Sequence, residues 1–183
     1  MSLPKKTVLA VIGYWLLVSL AGCGYTTRSL ITEKYKTIYI TQFANKIDIA
    51  KESESANRYR LYQPMLELDI TQALIERFLW DGNLRPQKEA SADLILKGEL
   101  VEFSRDPLRY TDNDEVEEYR ITIRVNLSLW DNRGNKLIWE EKLFAGDTTY
   151  FTTGPAAKLQ DSAISDAIKD LVRRIVERTV EEW

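Results

Sequence analysis

The 183-residue sequence contains no histidine and one cysteine. Losing histidine removes the commonest general base and metal ligand together, which excludes Ser-His-Asp triads, Cys-His dyads and ordinary zinc sites. No spacing singles out a Ser-Lys nucleophile or a catalytic carboxylate pair, so neither an enzyme nor a cofactor is expected. One cysteine cannot form an internal disulfide, and packing alone must stabilise the fold. Neither sign of charge dominates, with 25 basic against 28 acidic residues. The formal net charge is −3, without the basic excess of a nucleic-acid binder.

Only one long hydrophobic run is present. Lys5 and Lys6 precede an apolar stretch from Thr7 to Leu20, followed by Leu20-Ala21-Gly22-Cys23. Its fourteen residues would span about 21 Å as a helix, short of the roughly 30 Å hydrocarbon core. Residues 1–22 therefore read as a signal peptide. Its end resembles a bacterial lipobox, which makes Cys23 the expected site of lipidation and the new N-terminus. Gly24 follows, without the aspartate that resembles an inner-membrane retention signal, so the outer membrane is the expected destination. Without residues 1–22 the chain has 161 residues and a formal charge of −5, one domain by length.

Residues 23–34 are expected to be the acylated end and an extended tether, and 35–183 a single α+β domain. "KTIYITQF" suits a first strand through Ile38, Tyr39 and Ile40, and a polar loop follows. Leu66, Ile70, Ala73, Leu74 and Phe78 recur at helical spacing between Pro64 and Gly82, residues suited to a helix's first turn and C-cap. Leu68, Ile75 and Leu79 form a second stripe, expected to meet the other helix. A long strand is predicted over Ala92–Phe103. In "YRITIRVNLSLW" the residues Tyr119, Ile121, Ile123, Val125, Leu127 and Leu129 alternate with polar ones, which predicts one buried and one wet face. "DNRGN" should turn the chain into "KLIWEEKLF", with Gly134 at positive φ. Pro155 should open a last helix whose core stripe is Ile164, Ala167, Ile168, Leu171, Val172 and Ile175. The expected order is β-α-β-β-β-α, a mixed or mainly antiparallel four-stranded sheet with two helices packed on one face. The acidic run Asp112–Glu118 lacks the glycine and distal glutamate of an EF-hand and reads as a solvated hairpin tip rather than a metal site.

"CGY", "KTIYITQFANK", "ALIERFLWDG", "ADLILKGEL", "EYRITIRVNLSLWD", "GNKLIWEE" and "AISDAIKDLVRRIVERTVEEW" together resemble the lipopolysaccharide-assembly lipoprotein family, LptE. The resemblance runs over nearly the whole chain after Cys23 and lies in the order and spacing of the pieces. It implies a non-catalytic lipoprotein of the outer membrane, with its domain on the periplasmic side. Such proteins plug the lumen of an LptD-type β-barrel, help it assemble, and bind lipopolysaccharide.

Lipid A would require arginine or lysine near apolar surface, because guanidinium grips phosphate oxygens in pairs. Arg105 and Arg109 lie beside Pro107, Leu108 and Tyr110; Arg120 and Arg124 share one side of a strand; Lys158 precedes the last helix. Those five are the candidate ligand contacts, although such charges more often simply pair with nearby acids. Tyr150 and Phe151 in "TTYFTTG" are candidate partner contacts, and Trp80, Trp130, Trp139 and Trp183 are expected in the core. An alternative is an outer-membrane lipoprotein that regulates a periplasmic cell-wall synthase. The dozen or so residues between Cys23 and the first strand reach at most about 40 Å, which weighs against it.

Overall fold

A computed structural model describes residues 31, 34–47 and 63–181. The expected signal peptide, Cys23, most of the expected tether, the middle of the polar loop and Trp183 lie outside the described residues. The elements are β1 (Thr37–Ile40), β2 (Ala44–Asn45), α1 (Leu66–Asp81), β3 (Arg85–Pro86), a short 3-10 turn (Glu89–Ser91), β4 (Leu94–Tyr110), β5 (Val116–Asp131), β6 (Lys136–Phe151) and α2 (Gln160–Val180).

These strands make one mixed sheet of six strands, ordered β3-β1-β4-β5-β6 with β2 also paired to β4. The expected count of four is corrected. The added strands β2 and β3 hold two residues each, too few to show an alternating pattern in sequence. Parallel pairing of β1 with β3 and β4 supplies the mixed character, and β4-β5-β6 is the expected antiparallel meander.

The long strands overrun the short ones. β1 and β2 pair with β4 only as far as Leu100, so beyond it one side of β4 has no strand neighbour among the described residues. Pro107 is tolerated there because its missing N–H leaves no ladder bond unmade. Register shifts on either side of Arg109 accompany it, as bulges do near a strand's end.

Both helices cover one sheet face. α2 packs on β6 and β5, and α1 lies beside α2 and against β3. Leu66, Ile70, Leu74 and Phe78 of α1, and the predicted stripe of α2 with Val176 added, meet Leu96, Leu100, Phe103 and alternate β5 residues in one core. Ile31, within the stretch expected to be an extended tether, is helical and buried in this same core. Gly146 lets α2 approach β6 closely, since a Cβ there would lie 2.5 Å from the Leu171 Cα.

Local signals met mixed outcomes. Gly82 caps α1 at φ 76° and donates its amide to the Phe78 carbonyl. Pro64 stands before the helix, whose N-cap is Met65, and Pro155 precedes α2 by five residues. Asn135, rather than Gly134, takes positive φ in the β5–β6 turn. The Asp131 carboxylate accepts the Arg133 and Gly134 amides and thereby shapes that turn. A side chain at Gly134 would crowd this carboxylate, 3.3 Å from the Cβ position.

Candidate functional site

Alternation along β5 divides the expected site residues between two faces. Arg120 and Arg124 lie on the face away from the helices, opposite Asp106 and Glu102 of β4. Arg124 is ion-paired with Glu102. Arg120 is exposed and has no ion pair among the described residues. Arg109 is largely exposed, reaches Glu118 at 3.6 Å and places its guanidinium 5.6 Å from the Phe151 ring centre. Thus Arg109, Arg120, Arg124 and Phe151 decorate the open side of the ribbon's distal half.

Arg105, Lys158 and Tyr150 belong to the other side. The Arg105 guanidinium lies 4.5 Å from the Tyr119 ring centre and bonds to Gln160 at the start of α2. Tyr150 is 4 % exposed and stacks on Tyr119 with ring centres 5.8 Å apart. Its expected exposure is corrected, because "TTYF" belongs to β6 and alternation turns Tyr150 to the core. Lys158 pairs with Asp166 at 3.0 Å. This lysine and Lys169 hold the Asp166 carboxyl below the usual carboxylate range through hydrogen bonds.

The open face is polar along its length. Lys97, Glu99, Asn126, Ser128, Glu140 and Lys142 surround a shallow cleft with Trp130 and Leu137, and the Lys97 ammonium sits 5.1 Å from the Trp130 ring centre. Ser104 and Thr122 continue it toward Arg120 and are nearly buried. Ser104 donates to Asp106 at 3.1 Å.

Between α1 and α2 runs a groove of about 860 Å³ lined by Ala73, Arg77, Trp80, Ile164, Ile168 and Val172 among others. The α1 face turned to α2 therefore carries Ala73, Arg77 and Trp80 instead of the Leu68-Ile75-Leu79 stripe, and Leu79 is 63 % exposed. Trp80, expected in the core, is 87 % exposed. Trp139 is half-buried, with the Arg178 guanidinium 5.0 Å from its ring centre.

At the sheet's opposite end, Asp93 ties β1 to β4. Burial raises its carboxyl, but the Lys36 amide, the Thr37 hydroxyl and amide and the Arg133 charge outweigh that and hold it below the usual range. No described helix is long and apolar enough to cross a membrane. Among the described residues no three His, Cys, Asp or Glu side chains are grouped to hold a metal ion.

The lipopolysaccharide-assembly family profile matches residues 35–179, from before β1 to the end of α2. The chain belongs to the LptE family. That membership supports a non-enzymatic outer-membrane lipoprotein. No curated protein matches the chain. Among solved structures, a protein from Xanthomonas campestris is similar at 11 % identity and TM-score 0.50, covering 79 % of this chain and 84 % of its own. Rare lipoprotein B from Shewanella oneidensis is similar at 13 % identity and TM-score 0.44, covering 76 % and 91 %. The PelC dodecamer from Paraburkholderia phytofirmans follows at 12 % and 0.46, covering 82 % and 91 %. At these identities the likeness concerns the fold alone.

Nothing in the sequence marked Gln160 or Tyr119 as partners of Arg105. They are brought to it by the docking of α2 on β5 and β6, which no local pattern encodes. Alternation did contain the signal for Tyr150, since it shares parity with Thr148 and Gly146 across from Ile121 and Ile123.

Proposed function

We propose that this chain is the lipid-anchored plug of an LptD-type outer-membrane β-barrel, that it supports assembly of that barrel, and that it binds lipopolysaccharide. The observation that carries this reading is the family match over residues 35–179. The open sheet face is consistent with it, because polar side chains such as Asn126, Ser128 and Thr122 suit the water-lined interior of a large barrel. Cys23 is the anchor, since a thiol can carry the diacylglycerol that holds a domain at a bilayer.

Lipopolysaccharide phosphates would meet Arg109 and Arg120 first. Both are exposed, and Arg120 gives up no ion pair among the described residues to bind an anion. Arg105, Arg124 and Lys158 are already engaged by Gln160, Glu102 and Asp166, so each would have to exchange a protein partner for phosphate. Phe151 supplies apolar surface beside Arg109.

The test is gentle detergent extraction from the native membrane and mass spectrometry of what remains bound. A large β-barrel in near-equal amount is expected. Recovery of the chain alone, or with a cell-wall synthase, would sink the plug reading. Lipopolysaccharide binding is tested separately with Arg109→Glu/Arg120→Glu. Retention should fall roughly tenfold or more for two lost charge-assisted contacts, and unchanged retention would remove these residues from the ligand site.

A further inference from the structure

Among the described residues β6 forms an entire outer edge of the sheet, and it is 16 residues long. Such an edge presents unpaired amides and carbonyls that invite strand addition by another chain. Three features act against this along its length.

The first is irregularity. Register shifts occur opposite Val125/Leu127 and Leu129/Trp130. Leu143 sits at φ 55°, its amide turned to the Asn126 side-chain oxygen at 3.1 Å. A straight incoming strand cannot follow the edge across these bulges. The uninterrupted run is the distal part, Phe144–Phe151.

The second feature is a clamp from α2 on that run. The Asp147 amide, which is not directed at β5, donates to Asp170 Oδ2 at 3.2 Å. Arg174 Nε holds the same oxygen at 2.8 Å, and its Nη2 lies 3.6 Å from the Asp147 carboxylate. Arg173 grips the other Asp170 oxygen at 2.7 Å. The third is the connection into α2. The Lys158 amide donates to the Phe151 carbonyl at 2.9 Å, and Ala157 bridges to Phe151 in parallel. Residues 147 and 151 have the same parity, so both clamps act on outward-facing groups, and Thr149 between them faces outward too.

We propose that Asp170, held by Arg174, and the Gly154–Lys158 connection together form an edge guard that closes β6 against strand addition by another chain. The guard keeps a long edge strand from pairing with a second copy of this chain. It concerns the chain itself and stands whether or not the partner is a barrel.

The full chain carrying Asp170→Ala/Arg174→Ala is compared with the unaltered chain by sedimentation velocity and by hydrogen exchange at the Asp147 amide, with circular dichroism to establish folding. The amide should exchange about tenfold faster once its acceptor is gone, and a concentration-dependent dimer should appear. Adding Thr149→Pro, which places a proline on the outward side of the edge, should return the protein to monomer. Lys158→Pro removes the distal clamp along with the Lys158–Asp166 ion pair, whereas Lys158→Ala removes only the ion pair. The first should give a dimer and the second should not, so the inference can be judged even where the double variant does not fold. Folded variants that stay monomeric at every concentration would overturn it. So would a dimer that persists with Thr149→Pro.

Discussion

The two faces of the central sheet are built from the same strands and behave as different materials. Toward the helices, Leu96, Leu100, Phe103, Ile121, Ile123, Val125, Leu127 and Leu129 are buried in one core. On the other side Lys97, Glu99, Arg120, Arg124, Asn126 and Ser128 stand in solvent or partly covered, several paired across strands. Neighbouring residues on β5 thus alternate between the two faces because the pleat reverses every side chain, with Thr122 the open-face residue that is itself nearly buried. Stability is concentrated on the first face, while the second is free to carry charge for a partner or ligand.

This contrast predicts a graded set of responses to substitution. Phe103→Ala on the covered face should cost about 3–5 kcal/mol in urea unfolding, the usual cost of emptying an aromatic core site. A cost below about 1 kcal/mol would break the contrast, since it would mean that the core can collapse around the loss. Gly146→Ala should cost about 1–3 kcal/mol by overpacking, because the new Cβ meets the Leu171 backbone. The clash is with helix backbone, so relief requires α2 to move.

Asp93→Asn sharpens the comparison by moving to the rim, where polar contacts substitute for packing. It should cost roughly 1–3 kcal/mol at pH 7, as expected for a nearly buried hydrogen-bonded carboxylate. The folded carboxyl titrates below its unfolded value, so its stabilisation is full above the ordinary aspartate pKa of about 3.9 and fades as pH falls through the lower folded value. The gap between variant and parent in denaturant midpoint should therefore narrow on acidification below about pH 4. A gap that stayed constant would remove ionisation from the account.

Arg124→Ala on the open face should change stability by no more than about 0.5–1 kcal/mol, since its pair with Glu102 is partly exposed and screened. Arg120→Ser should be smaller still, within about 0.5 kcal/mol. A large loss at either position would show the open face to be structural after all.

Much of this organisation was legible beforehand. The period-two pattern of β5 and the i, i+3, i+4 stripe of α2 identify their buried faces directly, because burial imposes those periods on residue choice. The expected fold class and meander followed from the same patterns. The short strands β2 and β3 were invisible because two residues cannot display a period, and Pro155 misled because a proline compatible with a helix start is equally compatible with the turn before it.

The sequence by itself determined which residues are apolar at which spacing, and hence the two helices, the three long strands and the family. Only the tertiary structure decided that Trp80 is exposed, that Arg105 is tied to Gln160 while Arg120 is left to solvent, and that α2 clamps the edge of β6. These outcomes join positions as far apart as Arg105 and Gln160, and no local periodicity records which distant chain will arrive. Packing sets such pairings, here through the close approach of α2 to β6 that Gly146 permits.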